Sequence, residues 1–247
     1  METQNKNNKT YKSEFLAGII DIFPMLIGMV PFGLIVGTMG KQAGLESWEL
    51  MLMSSTVFAG ASQFIALDMW QTPLPGMAII GTTLMVNLRH VLMSASASPH
   101  IRTLPPVTRY IFICAMADEN WAMFMRRAMS SKKLVAAYVI GLTVPFYLNW
   151  QLWSFLGTQL GDLIKDPVTL GFDFVFTAVF ITLVHGFWKV DRRVSPIIAS
   201  ACIALIAHDL LPGTWYIFLG SLGGIAAVAI SYKFKTKDDD GEDAYGQ

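Results

Sequence analysis

Two polar words interrupt apolar stretches of this 247-residue chain: Asn87-Leu88-Arg89-His90 inside TTLMVNLRHVLMSASAS, and Asp118-Glu119-Asn120 inside CAMADENWAMF. Their types suit the handling of a small charged solute. A guanidinium grips a carboxylate through a two-pronged fork, a carboxylate answers an ammonium, and an imidazole moves protons near neutral pH. Depth makes them informative. Arg89 stands near the middle of the apolar segment 76–98, where a charge costs about 2.5–3.5 kcal/mol and so faces a partner or a cavity. On one straight helix Asn87 and His90 share a face, while Arg89 projects about 200° from Asn87. Either the helix breaks at this motif or Arg89 serves a second interface. Asp118 and Glu119, at comparable depth in the next segment, are its simplest partners, in a binding site or in a purely architectural pair.

Other segments add candidates. In FAGASQF, Gly60, Ala61 and Ser62 have almost no side chain, so a ligand or a neighbouring helix approaches closely; Gln63 beside them is the less expected member. LNWQLW places Asn149 and Gln151 in an apolar run. FPMLIGMVPFGLIVG carries Pro24, Pro31 and Gly33, and each proline removes a backbone donor, allowing a static kink or an unwound hinge. The residues expected to bind substrate are therefore Arg89, Asn87, Gln63, Gly60, Ser62 and Asn149. Asp118, Glu119 and His90 are the expected proton carriers, and Pro24, Pro31 and Gly33 the expected hinge. Asp21, Asp68, His185, His208 and Asp209 lie nearer segment ends, where headgroups and water satisfy them; Asp173, at the start of its segment, is open both to a structural reading, favoured there by the helix dipole, and to a functional one.

These residues need elements to hold them, and the composition says which. The chain is 53% hydrophobic and only 15% charged, against about 25% charged for a soluble domain. Much of its charge sits in a polar tail, 1–14, and a closing one, 233–247. Between them lies a membrane domain, 15–232, with eight apolar segments: 15–39, 47–70, 76–98, 107–126, 133–157, 169–190, 195–211 and 213–232. About 20 helical residues cross the hydrocarbon layer, so the expectation is an all-α polytopic transmembrane bundle, with seven crossings if one segment is re-entrant. Broken helices are expected among them. The last two segments, separated by a Pro-Gly turn, should pair antiparallel. Lys6, Lys9, Lys12, Arg126, Arg127, Lys132, Lys133, Lys189, Arg192, Arg193, Lys233, Lys235 and Lys237 fall on one side of an eight-crossing layout, with Arg102 and Arg109 as exceptions. Basic loops mark the cytoplasmic face, so both termini are expected there. VPFGL (30–34) recurs as VPFYL (144–148), a hint of the internal repeats on which transporters are built.

Eighteen basic and eighteen acidic residues cancel, so charge points to no nucleic-acid partner. No nucleotide-binding, metalloprotease or serine-nucleophile motif occurs. Cys114 and Cys202 lack metal-ligand spacing and read as small apolar residues. No catalytic residue, metal or cofactor is expected; the chain is not read as an enzyme.

The blocks PFGLIVG, SSTVFAGASQFIAL, VNLRH, ADENWA, LNWQLW and GFDFVFTAVFITL occur in an order that resembles the AzlC family, from about residue 15 to 232. The resemblance implies an inner-membrane permease that exports valine, leucine, isoleucine and sometimes methionine. It also implies a small AzlD-like membrane subunit as partner. Asp118 and Glu119 match the family's acidic pair; Asn120 stands where a small or hydroxyl residue is expected. With no ATP-binding part, export would draw on an ion gradient, most simply protons. The competing readings are a channel or carrier for another small solute, and a membrane scaffold whose polar residues only lock helices together.

Overall fold

The computed structural model describes residues 2–130, 133–161, 181, 194–211 and 215–242. The chain divides into two compact units, Met1–Ile181 and Thr182–Gln247. In the first, α1 (Glu2–Gln42) is followed by α2 (Ser47–Thr56), α3 (Gly60–Asp68), α4 (Gly76–Asn87), α5 (Arg89–Ile101), α6 (Pro106–Cys114), α7 (Asp118–Ala128) and α8 (Ala136–Leu160). The second holds α9 (Ser195–Leu210) and α10 (Trp215–Glu242). All of these are helices, and no strand occurs among the described residues. Seven of the eight apolar segments are thereby helical. The segment 169–190, with Asp173 and His185, lies outside the described residues, as do Lys132, Lys189, Arg192 and Arg193.

The surface identifies the solvent. On α1, Leu16, Ile20, Phe23 and Ile27 form an exposed stripe at helical spacing, and Met77, Ile80, Leu84 and Val91 do the same along α4 and α5. The buried set includes Ser54, Ser62, Gln63, Thr108, Asn120, Thr143 and Ser154. Apolar side chains outside and polar ones inside fit a helical protein surrounded by lipid. By length and composition, Tyr11–Gln42 and Gly76–Ile101 are long and apolar enough to cross the membrane.

The first unit is organised around α1 and α8. Three glycines of α1 let the two backbones touch: a Cβ on Gly18 would collide with Tyr138 and Leu142, one on Gly33 with Trp153, and one on Gly37 with Gly157. Later residues of α1 meet later residues of α8, so the two helices run parallel. Parallel neighbours require an odd number of crossings between them. The pairs α2–α3, α4–α5 and α6–α7 supply three, which supports counting each broken pair as one segment. Core side chains from several helices close around this axis: Ile22 and Val36 of α1, Leu50 of α2, Phe112 of α6, Phe124 of α7, and Leu142 and Phe146 of α8, all fully buried.

The unwinding expected at Pro24 and Pro31 is absent, since α1 is helical straight through both. Gly33, expected as a hinge, is instead a packing site against α8. Asn149 of α8 donates to the Leu26 carbonyl at 3.0 Å, one turn before Pro31. A side chain from α8 thus serves the stretch of backbone that the proline disturbs.

In the second unit α9 and α10 form the expected antiparallel pair. Gly220 faces Ala204, Gly224 faces Ser200, and Ser231 lies 3.5 Å from Ser195. His208 lies edge-on to Tyr216 and 3.5 Å from Asp209, at the end of α9 as its sequence position suggested.

Candidate functional site

Two apolar segments are interrupted in mid-course and a third is perturbed at one residue, and each of these places carries one of the polar words. Between α2 and α3, residues Val57–Ala59 leave the helix. The carbonyls freed there are taken by side chains. Gln63 donates from Nε2 to Val57 at 3.1 Å, Gln151 to Ser54 at 3.0 Å, and Tyr147 to Ser55 at 3.2 Å. Trp150 completes the closure through Nε1 to the Ser54 hydroxyl at 2.9 Å. Gly60 opens α3, and a Cβ there would meet the Trp150 indole at 2.9 Å. Phe58 packs within 5.0–6.4 Å of the rings of Phe146, Tyr147 and Trp150. Backbone outside a helix survives at membrane depth only when protein or water satisfies it, and here α8 does much of that.

The second interruption, between α6 and α7, is held by one residue. Asn120 donates from Nδ2 to the Ala115 carbonyl at 2.6 Å and accepts the Ala117 amide on Oδ1 at 2.9 Å. Asp118 and Glu119 then occupy the first turn of α7, where the unsatisfied amides of a helix start favour negative charge. The third place is a single residue, Leu88, between α4 and α5; it keeps right-handed helical dihedrals and its amide still bonds the Leu84 carbonyl at 3.1 Å, so the helical path continues. The NLRH motif therefore keeps helical geometry: Nδ1 of His90 lies 3.3 Å from the Asn87 carbonyl, while Arg89, on another face, serves a second interface and meets the Asp118 carboxylate at 2.5 Å. Trp121 bridges the same two elements through Nε1, to the Met93 carbonyl and the Ser96 hydroxyl, both at 3.1 Å. Glu119, next to Asp118, interacts electrostatically with both members of the ion pair.

The arrangement brings together Arg89, Asp118 and Glu119, as expected, and keeps Asn87 with His90. Gln63 and His90 serve first as partners for backbone carbonyls. Asn149 is committed to α1 and to the Trp153 indole, which donates to it at 3.1 Å. Several buried polar atoms have no hydrogen-bond partner among the described residues: the Ser62 hydroxyl, the side-chain oxygens of Gln63 and Asn87, and Nε of Arg89. Each such atom costs about 1–3 kcal/mol, and those of Asn87 and Arg89 lie within one turn of α4 and α5 beside the ion pair with Asp118. Asp68 is exposed at the end of α3, as expected of a segment end.

Sequence reasoning passed over two features. Asn120 was set aside as a departure from a pattern, yet it is fully buried and organises the turn that presents Asp118. A cavity of 230 Å³ between α2, α6 and α8, lined by Ser55, Cys114, Ala115, Thr143, Val144 and Tyr147, contains no expected site residue. The available signal was Thr143, a hydroxyl two positions before the proline of VPFYL.

Comparison with known proteins places this geometry in context. The family model described as AzlC protein matches residues 24–164, which include all three of these places. An uncharacterized membrane protein of Archaeoglobus fulgidus is 27% identical over 198 residues, covering 79% of this chain and 85% of that protein. The branched-chain amino acid transport protein AzlC of Bacillus subtilis is 23% identical over 210 residues, 85% of this chain and 82% of the relative. The inner membrane protein YgaZ of Escherichia coli is 22% identical over 216 residues, 84% and 86% of the two chains. No solved structure matches.

Proposed function

The chain belongs to the AzlC family, and from that premise we propose that it is a permease subunit exporting branched-chain amino acids across a bacterial inner membrane. Its substrates are valine, leucine and isoleucine, with methionine as a further one. The driving force is an ion gradient, most simply protons, and a small AzlD-like membrane subunit is its partner. Both termini face the cytoplasm in this reading. Support comes from the likeness to a branched-chain amino acid transport protein of Bacillus subtilis and to an inner membrane protein of Escherichia coli.

One observation carries the mechanism: the Arg89–Asp118 pair joins two segments, with Glu119 beside it. An aliphatic amino acid brings a carboxylate and an ammonium that must both be matched before it enters lipid. Arg89 takes the carboxylate, using its fork and its unengaged Nε. Asp118, released from Arg89, takes the ammonium together with Glu119. Exchange of the internal pair for two substrate contacts opens the joint between α5 and α7, and protonation of Glu119 or His90 resets it.

The test is leucine efflux from cells expressing the chain with its small subunit. Arg89→Ala and Glu119→Gln should each bring efflux to background when it is normalised to protein abundance. Wild-type efflux in both variants at equal abundance refutes the assignment. A scaffold role predicts a different pattern, in which charge-neutral changes reduce abundance or partner binding and transport falls only in proportion.

A further inference from the structure

We propose that the cavity between α2, α6 and α8 is the pocket that receives the branched side chain of the transported amino acid. The proposal rests on the export reading above and adds a location and a selectivity rule. The cavity measures 230 Å³, and an apolar cavity of about 150 Å³ already admits benzene in a well-studied protein. A four-carbon branched group fits. Drug-sized ligands occupy roughly 300–1,000 Å³, so the volume suits a single side chain.

Its position is as telling as its size. Ala115, in the lining, is the residue whose carbonyl Asn120 holds in the α6–α7 interruption. Asp118 follows three residues later, and three residues span at most about 11 Å. Ser55, across the cavity, gives its carbonyl to Tyr147 beside the α2–α3 interruption. The cavity therefore lies between two interrupted helices, within reach of the carboxylate that meets the ammonium. Ile111, Val144 and Ala115 supply apolar wall.

Thr143 backs the cavity. A threonine in a helix ordinarily bonds the carbonyl four residues back, as Thr56 does to Leu52 and Thr83 to Ile79, both at 2.7 Å. Thr143 is fully buried and lines the cavity, yet its hydroxyl has no partner among the described residues. That oxygen is closed off from the cavity as it stands, so the wall it backs is apolar.

Cys114 in the lining makes the proposal measurable. Inverted membrane vesicles carrying Cys202→Ser, with Cys114 as the remaining thiol of this chain, are treated with a small methanethiosulfonate reagent. At about ten times its half-saturating concentration, leucine leaves roughly one-eleventh of the sites open, so labelling of Cys114 should slow about tenfold; glutamate should not slow it. In parallel, Val144→Ala should favour leucine over valine and Val144→Phe should reverse that preference, each by roughly tenfold, the scale of one methylene in a tight pocket. Vesicles that accumulate leucine while Cys114 labels equally with and without it, or does not label, overturn the pocket alone. Unchanged leucine-to-valine ratios in both Val144 variants do the same. Vesicles that accumulate no leucine overturn the export reading and the pocket with it.

Discussion

Asp118, the first residue of α7, holds Arg89 at 2.5 Å from across the joint with α5. The two positions are electrostatically unequal. The start of α7 favours the Asp118 carboxylate, whereas Arg89 follows Leu88, whose dihedrals are helical and whose amide bonds Leu84, so no helix end compensates its charge and Arg89 depends on its partner more than Asp118 does. Asp118→Ala should therefore destabilise the protein more than Arg89→Ala. Breaking a fully buried pair costs about 3–5 kcal/mol. These side chains are 33% and 24% exposed, which lowers the expectation to about 2 kcal/mol for Asp118→Ala. Arg89→Ala combined with Asp118→Ala should recover part of that loss. Thermal unfolding in detergent checks the order, and equal losses in the two single variants contradict it.

Asn120 closes the α6–α7 interruption with two hydrogen bonds from a fully buried position. Asn120→Ala leaves the Ala115 carbonyl and the Ala117 amide without their partner, at about 1–3 kcal/mol for each buried group. Asn120→Asp keeps the acceptor for Ala117 but exchanges the donor for a carboxyl buried beside Asp118 and Glu119, so its melting temperature should also fall below wild type. If both variants melt like wild type, Asn120 is not the residue that stabilises the interruption.

The Arg89–Asp118 pair was legible in the sequence because a charge in an apolar segment needs a partner, and because the three polar side chains of NLRH cannot share one helix face. The two interruptions were not legible in the same way. Val57–Ala59 and Ala115–Ala117 contain no proline. There Gln63 and Asn120 satisfy carbonyls six and five residues earlier, respectively, a contest between side chain and helix that composition does not reveal. The reverse error concerned Pro24 and Pro31, which looked like break points but lie within a continuous helix whose neighbour α8 covers it. The cavity depends on how α2, α6 and α8 meet, and no single segment records that.

The glycines of α1 and α8 offer an internally controlled test. A Cβ on Gly37 or Gly157 would overlap the backbone of the opposing helix, whereas one on Gly28 or Gly81 has nothing within 4 Å. Backbone cannot rotate aside as a side chain does, so Gly37→Val and Gly157→Val should push α1 and α8 apart and sharply reduce the folded protein recovered in detergent. Gly28→Ala and Gly81→Ala should be neutral or stabilising, since alanine gains about 1 kcal/mol over glycine in a helix interior. Equal recovery of all four variants would show that this close approach is unnecessary.

A second charged network joins α1, α7 and α8 near the end of α7. Arg127 is nearly buried, bonded to Glu14 at 2.5 Å and to the Lys133 carbonyl at 3.3 Å, with its guanidinium 4.6 Å from the centre of the Tyr138 ring. Tyr138 donates to Asp21 at 2.7 Å, and Asp21 also pairs with Arg126 at 3.1 Å. Lysine cannot reproduce both the planar fork and the stacking on tyrosine, so Arg127→Lys should lower the melting temperature despite keeping the charge. Arg127→Met should lower it further, by about 3 kcal/mol of stability, because Glu14 then loses its partner. Adding Glu14→Gln to Arg127→Met removes the orphaned charge and should recover most of that loss, since replacing both members of a buried pair is often close to neutral. A double variant that melts no higher than Arg127→Met alone would mean that the arginine acts here through its packing on Tyr138 and its bond to Lys133, and that Glu14 contributes little.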